Sequence, residues 1–583
     1  MKKNNVLEIL KFIVTPFAIA LLALNLASGT VQAGEWNEIR NQLKEYNERV
    51  LAGDGTLEES MKHLALYREA YDKGIIRPDY PYIAKFSKSD DPDMRKHQFL
   101  HFYRPALREA NVVEYGAVGD GRTLNTDVIN KVIKMLNEEG GGSVFFPPGV
   151  YLSGSIQLKS NVHLYLSEGA TIRGAPLDIF AYDPPAENPY FLDLLDASRY
   201  SYIDVRHGLI WGDEIENVSI YGGTIDASAM PRSSGVDDFP IGGANRSTAV
   251  RKAKDFSIKD VHFYTGGHIA LQIIDSEDVT LAGIRMRTSR DGIQLFGVRN
   301  LELYDSDIES IRYEGGEKQG GDDPIVFKSM YGMHGEHVAT DGVIIRDTRI
   351  STNAFGLHFG SETTSDFRNI RFENIRIDHA DKAGISITVS DGATVENIHY
   401  ENITMRNVGI PIWFRVVDRD RGMNPDRERG GTIRNITMKN IRAIDVEQVI
   451  RGDKGFAASI VGQDYSPVEH VHMENIHITY RGGGTSEMAD IIPPDLPEHN
   501  PDELGIRPGY GFYIRHAENV SMYNVKTDFE QEDKRPAMVI ENVRNIEIDR
   551  FEPKRSEDLD VDILSRENVE GLVLRNSEGV VVR

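Results

Sequence analysis

A short phrase recurs along this chain in one phase. A small polar residue, usually asparagine, is followed by an alternating apolar run. It reads Asn217-Val218-Ser219-Ile220, Asp278-Val279-Thr280-Leu281, Asn300-Leu301-Glu302-Leu303, Asn369-Ile370-Arg371-Phe372 and Asn397-Ile398-His399-Tyr400. It continues as Asn435-Ile436-Thr437-Met438, His470-Val471-His472-Met473, Asn519-Val520-Ser521-Met522 and Asn545-Ile546-Glu547-Ile548. Most copies lead through a turn into a second alternating strand, such as Ile375-Arg376-Ile377 or Ile403-Thr404-Met405. Val279 to Leu301 is 22 residues, Ile370 to Ile398 is 28, and Ile546 to Val569 is 23. Longer gaps, such as Leu301 to Val343, fit one rung plus a loop, or two rungs. Alternation of period two buries one face of a strand. A unit of this length cannot bury that face alone, so copies must stack, which predicts a parallel β-helix. A sandwich of hairpins is the alternative, but two-residue hairpin turns are scarce here. A solenoid also accounts for 583 residues, too many for one ordinary core.

The chain ahead of the repeat has a different texture. Lys2 and Lys3, an apolar run from Phe12 to Ala27, and Val31-Gln32-Ala33 read as a secretory signal over residues 1–33. Residues 34–108 hold helical spacings, as in Trp36 to Leu43 and Glu59 to Tyr67, and read as a small helical segment. Residues 109–583 read as the β-helix domain. Its opening is a strand and a Gly-rich turn (Val112 to Gly121), a helix (Asn125 to Glu138) stopped by Gly140-Gly141-Gly142, and a buried strand with a turn inside it (Val144 to Tyr151). Such an opening would cap the first rung. The net charge of −24 argues against nucleic acid and anionic membrane as partners. With no cysteine there is no disulfide, thiolate metal site or cysteine nucleophile. An exported, cysteine-free chain points to a secreted or periplasmic bacterial protein. A monomer is expected, free of the membrane once the signal is removed.

The chemistry concentrates between Thr288 and Ser329. This stretch holds Asp291-Gly292, then Gly321-Asp322-Asp323, then an apolar strand carrying Lys328. Either acidic pair alone reads as a turn. The repeat changes that. Asp291 to Asp322 is 31 residues, one plain rung plus the polar, Gly-rich Arg312 to Gly321. With that loop set aside, Asp291 stacks one rung from Asp322 and Asp323, with Arg290 beside them. One rung further, Gly356 to Glu362 brings His358 to the same neighbourhood. A donor kept neutral by neighbouring carboxylates, a base for water and a histidine to tune the donor would make a hydrolase site.

These motifs resemble glycoside hydrolase family 28, the polygalacturonase family, over roughly residues 110–550. The family's Asn-x-Asp-Gly corresponds to Ser289-Arg290-Asp291-Gly292, and its Gly-Asp-Asp to Gly321-Asp322-Asp323. Tyr115 to Gly121 and Phe146 to Tyr151 are similar to the opening of many pectin-active β-helix proteins. The resemblance implies a right-handed parallel β-helix and inverting hydrolysis with no metal or other cofactor. Asp322 would be the general acid, and Asp291 and Asp323 would activate water. An inverting pair is expected about 6.5–9.5 Å apart.

The chain also departs from the family pattern. The family's Gly-His-Gly aligns with Ala354-Phe355-Gly356, and His358 lies three residues later. Its Arg-Ile-Lys, which resemblance assigns to the galacturonate carboxylate, aligns with Ser386-Ile387-Thr388. Either other cations grip the substrate or the bound sugar is not galacturonate. Arg290, Lys328, Arg415 and Arg515 are the candidate cations, with Trp413 or Tyr513 to stack on a sugar ring. The structural reading is that the arginines pair with acids such as Asp418 and Asp420 and that the aromatics are core. The long Gly482 to Asn500 stretch is expected to overhang the groove. The function expected is hydrolysis of a pectic or related acidic polysaccharide. The alternatives are a β-helix lyase using Ca²⁺ on Asp322 and Asp323, and a non-catalytic carbohydrate-binding protein.

Overall fold

The computed structural model describes residues 109–184, 205–230, 244–264, 267–314, 317–331, 335–419, 424–426, 430–447, 457–497 and 499–583, with backbone only over 312–320. The expected signal and helical segment lie outside them. The described residues fall in two units. The small one holds 109–110, Leu136–Val144 and Asn161–His163; the large one holds Asn111–Met135, Phe145–Ser160 and the described residues from Leu164 onward. Helix α1 (Thr126–Glu138) forms where its spacing predicts, with Ile129, Val132, Ile133 and Leu136 buried.

The large unit is a right-handed parallel β-helix. Its strands stack in parallel register, each rung on the one before, forming three walls. The phrase asparagines sit at the corners with left-handed backbone: φ is 52° at Asn300, 56° at Asn369, 57° at Asn397 and 56° at Asn435. That conformation is costly for most L-residues and least so, glycine aside, for asparagine and aspartate. A second corner adds side-chain bonding. Asn374, Asn402, Asn440, Asn475 and Asn524 form a ladder, each amide after the first donating to the side-chain carbonyl of the rung before at 2.7–3.1 Å, and that of Asn374 to the Asp347 carboxylate. Inside, Leu271, Ile293, Ile325, Leu357, Ile385 and Ile412 are one buried column. Phe327 stacks on Phe359 with ring centres 4.6 Å apart.

The wall that carries the site runs through β1 (Ile269–Ile274), β2 (Asp291–Phe296), β3 (Ile325–Ser329), β4 (Phe355–Thr363), the end of β5 (Arg376–Val389), the end of β6 (Thr394–Val416), β7 (Ala458–Val461) and the start of β8 (Phe512–Gln531). Two local expectations sharpen. Leu301 pairs directly with Val343, so that long gap is one rung with loops. The Gly-rich insertion is an antiparallel hairpin, Arg312–Glu314 against Glu317–Gly320.

Asn440 tests the corner ladder. Asn440→Ala loses two side-chain bonds and forces a left-handed alanine, a cost of about 1–3 kcal/mol. Asn440→Gly keeps the backbone relaxed and should cost less. Glycine should therefore give the higher thermal midpoint, the reverse of the usual order inside a strand.

Candidate active site

Asp291 and Gly292 open strand β2; they do not form a turn. Ile293 pairs with Ile325, so Asp291 falls beside Asp323, and Gly292 N–H donates to Asp323 O at 2.9 Å. Both motif glycines are required by close approach. A Cβ on Gly292 would lie 2.4 Å from Pro324 O, and one on Gly321 would lie 2.2 Å from Ser310 O. The result is one cluster. Asp291, Asp322 and Asp323 each offer an oxygen within 4.8 Å of the others. This corrects the expected inverting separation of about 6.5–9.5 Å, because adjacent rungs sit only an inter-strand spacing apart.

The three carboxyls differ in setting. Asp291 is 5% exposed and Asp323 is 6% exposed. Asp322 keeps 26% of its side chain open and pairs with Arg290 Nη1 at 2.8 Å. Its N–H donates to Ser310 Oγ at 3.0 Å. Asp291 accepts from Gln294, whose own carbonyl accepts from Gln272 at 3.1 Å. Asp323 accepts from Phe355 N–H at 3.2 Å. Burial, with the charge of Asp322 added, pushes the Asp291 carboxyl up to about 7, against the opposing pull of Lys328 and Arg290. Burial and then both neighbouring carboxylates push Asp323 well above the usual range. In the free site the buried pair therefore holds protons near neutrality.

The remaining expected residues divide. Lys328 is beside the cluster, and its ammonium donates to Glu362 at 2.6 Å. His358 is one rung on, buried, stacked on Phe355 with ring centres 4.2 Å apart. Its Nδ1 shares a hydrogen bond with Ser386 Oγ at 2.9 Å, so it holds a serine and not a carboxyl. Burial and then Lys328 hold its imidazole well below the usual range, hence neutral. Trp413, Arg415 and Arg515 correct the expectation of open sugar contacts: all are buried. The overhanging segment lies on them. Trp413 Nε1 donates to His499 O at 3.1 Å, Arg415 Nη2 to Leu496 O at 3.0 Å, and Arg515 Nη1 to Pro493 O at 2.9 Å. Arg415 pairs with Asp495 at 2.9 Å rather than with Asp418. Tyr513 is buried too, donating to Glu541 at 2.8 Å.

Residues 196–494 match the model of glycosyl hydrolases family 28, and residues 110–170 match that of the rhamnogalacturonase A/epimerase, pectate lyase-like family. This chain belongs to glycosyl hydrolase family 28. It is similar to a probable polygalacturonase of Vitis vinifera, 26% identical over 327 residues, covering 52% of this chain and 62% of that protein. It is also similar to plasmin and fibronectin-binding protein A of Streptococcus pneumoniae (strain ATCC BAA-255 / R6), 28% identical over 310 residues, covering 48% of this chain and 37% of that protein. The chain thus spans less than two thirds of either relative's length. A solved structure of the family 28 exopolygalacturonase of Yersinia enterocolitica shares the fold. It has a TM-score of 0.54 at 18% identity over 80% of this chain and 78% of that one.

The chain carries one cation near the cluster that motif reading missed. Lys382 acts on Asp323 through its charge, lies 4.9 Å from the Phe355 ring centre, and donates to Asn500 at 3.1 Å. No motif marks it; only the pairing of Ala383 with Phe355 brings it to the site. Gln294 was within reach of rung counting, since Gln272 stacks on it. The cluster could offer carboxylate oxygens to a divalent ion. Arg290 already holds Asp322, and Ca²⁺ on Asp322 and Asp323 would have to displace it and find further oxygens.

Burial of Asp291 has a consequence for stability. Between pH 3.8 and about 7 the unfolded carboxyl has lost its proton and the folded one has kept it. Stability from this group therefore falls as pH rises through that window, and above it the full cost stands. Asp291→Asn does not titrate. Its thermal midpoint should exceed that of wild type by about 2–4 °C at pH 8, and the gain should vanish by pH 4.

Proposed function

We propose that this chain is an exported glycoside hydrolase cleaving a pectic or related acidic polysaccharide. The observation that carries this is the single cluster formed by Asp291, Asp322 and Asp323 from two separated motifs on adjacent rungs. Asp322 is the most exposed carboxyl of the three and acts as general acid. It can receive a proton from the buried pair, whose oxygens lie within 4.8 Å. The proton passes to the glycosidic oxygen as the bond to the anomeric carbon breaks. Asp291 and Asp323 then hold the attacking water on their open side and take its proton as its oxygen bonds that carbon. Arg290, Lys328 and Lys382 offset the negative charge of the cluster. The signal over residues 1–33 supplies the export route.

The second reading is a non-catalytic binding protein, favoured by similarity to the pneumococcal fibronectin-binding protein. Against it stands the cluster itself. Keeping two buried carboxyls from their ordinary ionisation opposes folding at neutral pH, a cost that binding alone does not require. Asp322→Asn should lower reducing-sugar release from polygalacturonate, rhamnogalacturonan or an acidic galactan by about 100- to 10,000-fold, with thermal unfolding unchanged. A variant that keeps near-wild-type turnover would contradict the assignment, and a silent wild type on every polymer would favour the binding reading.

A further inference from the structure

A second polar group on the same wall takes no part in that chemistry. Arg415 lies three rungs beyond Asp323, about 14 Å along the helix axis by inter-strand spacing, and five residues further along its strand; Arg515 lies two rungs beyond Arg415. Both are buried, at 0% and 6% exposure, and Arg507 is buried among them with its guanidinium over the Trp413 ring. Guanidinium groups cannot shed their charge at neutral pH and are rarely buried without a counter-charge. Here Arg415 and Arg515 share one carboxylate oxygen, Asp495 Oδ1, at 2.9 and 3.6 Å. Gln463 donates to the same oxygen at 3.1 Å. The nearby acid Glu541 is taken by Arg566 at 2.8 Å and by Tyr513.

Two features distinguish this pocket from a simple clamp on the covering segment. Bonds from Arg415 and Arg515 to the carbonyls of Leu496 and Pro493 would suffice to hold that segment. Yet Arg415 Nε and Nη1 and Arg515 Nε are buried with no acceptor. Asp495 itself comes from the covering segment, and its side chain is 52% exposed at the pocket mouth. The pocket thus has more buried donors than the chain satisfies, and its one acid sits where it can swing out. The donors form planar forks suited to a carboxylate.

We propose that the Arg415–Arg515 pocket binds the carboxylate of an acidic sugar of the substrate, and that Asp495 fills that place in the free protein. This rests on the acidic-glycan reading above. It gives the chain a uronate grip in place of the absent Arg-Ile-Lys cations, a few sugars along the groove from the cleavage point. Asp495 competes with substrate for the grip, which lowers apparent affinity by the fraction of time it is seated.

The test is calorimetric titration of trigalacturonate and of neutral galactotriose into the Asp322→Asn protein, with and without Asp495→Asn. The pocket predicts roughly 3- to 10-fold tighter trigalacturonate binding once Asp495 is neutral, and unchanged galactotriose binding. Arg415→Gln, checked for an unchanged thermal midpoint, should weaken trigalacturonate alone; Arg515→Gln substitutes if it fails to fold. Equal weakening of both sugars by Asp495→Asn, or no change in either, would make the arginines a loop clamp and overturn the proposal. Because titration needs no turnover, the outcomes separate. Hydrolysis without this selectivity removes the pocket, and selectivity without wild-type hydrolysis removes the catalytic reading.

Discussion

Everything in this molecule depends on the backbone bonds between one rung and the next. They fix which residues become neighbours, whatever their distance along the chain. Asp291 and Asp323 meet because Gly292 N–H reaches Asp323 O and Ile293 seats on Ile325. Glycine at 292 is the condition for that approach, since any side chain there would collide with the Pro324 carbonyl of the adjacent rung, and glycine at 321 lets the base of the hairpin close on the Ser310 carbonyl. The corner asparagines serve the same register from the outside, taking the left-handed turns and bonding to each other between rungs. A slip of one residue would turn the carboxyls from groove to core.

The register then imposes an electrostatic cost. Three carboxyls come together where two are almost dry. Nearby cations soften that cost without removing it. Arg290 pairs with the open carboxyl, and Lys328 is partly engaged by Glu362. Lys382 reaches the cluster only through its charge. The outcome is a site that keeps protons near neutrality, as acid–base work on a glycosidic bond requires. A second charged group lies further along the same wall. There the imbalance is positive, and the covering segment supplies the acid. In the proposed function the two groups work together, one breaking the bond and the other holding an anionic chain further along the same wall.

How much of this could be read from sequence follows from how local each feature is. The fold was legible because alternation and corner asparagines are properties of a few consecutive residues. The carboxyl cluster was legible because rung length is nearly constant, so 31 residues less one insertion could be counted as a rung. Its tight spacing was not, because counting rungs says nothing of side-chain reach. The fates of Trp413, Arg415 and Arg515 were hidden for a different reason. Their outward direction follows from the repeat, but whether they meet solvent depends on a segment remote in sequence, 80 residues after Arg415 at Asp495 and 22 before Arg515 at Pro493. His358 was placed on the right rung, yet its partner Ser386 is one rung further on, in the motif that lost its cations.

The close cluster makes one question decisive: whether a carboxylate attacks the sugar or hands it a water. Proton magnetic resonance of the first-formed product, recorded before mutarotation, answers it. From an α-linked substrate the account predicts a β-anomer, with water delivered by Asp291 and Asp323 opposite the leaving group. An α-anomer would mean a covalent intermediate on one of those aspartates, and would contradict the roles assigned to all three.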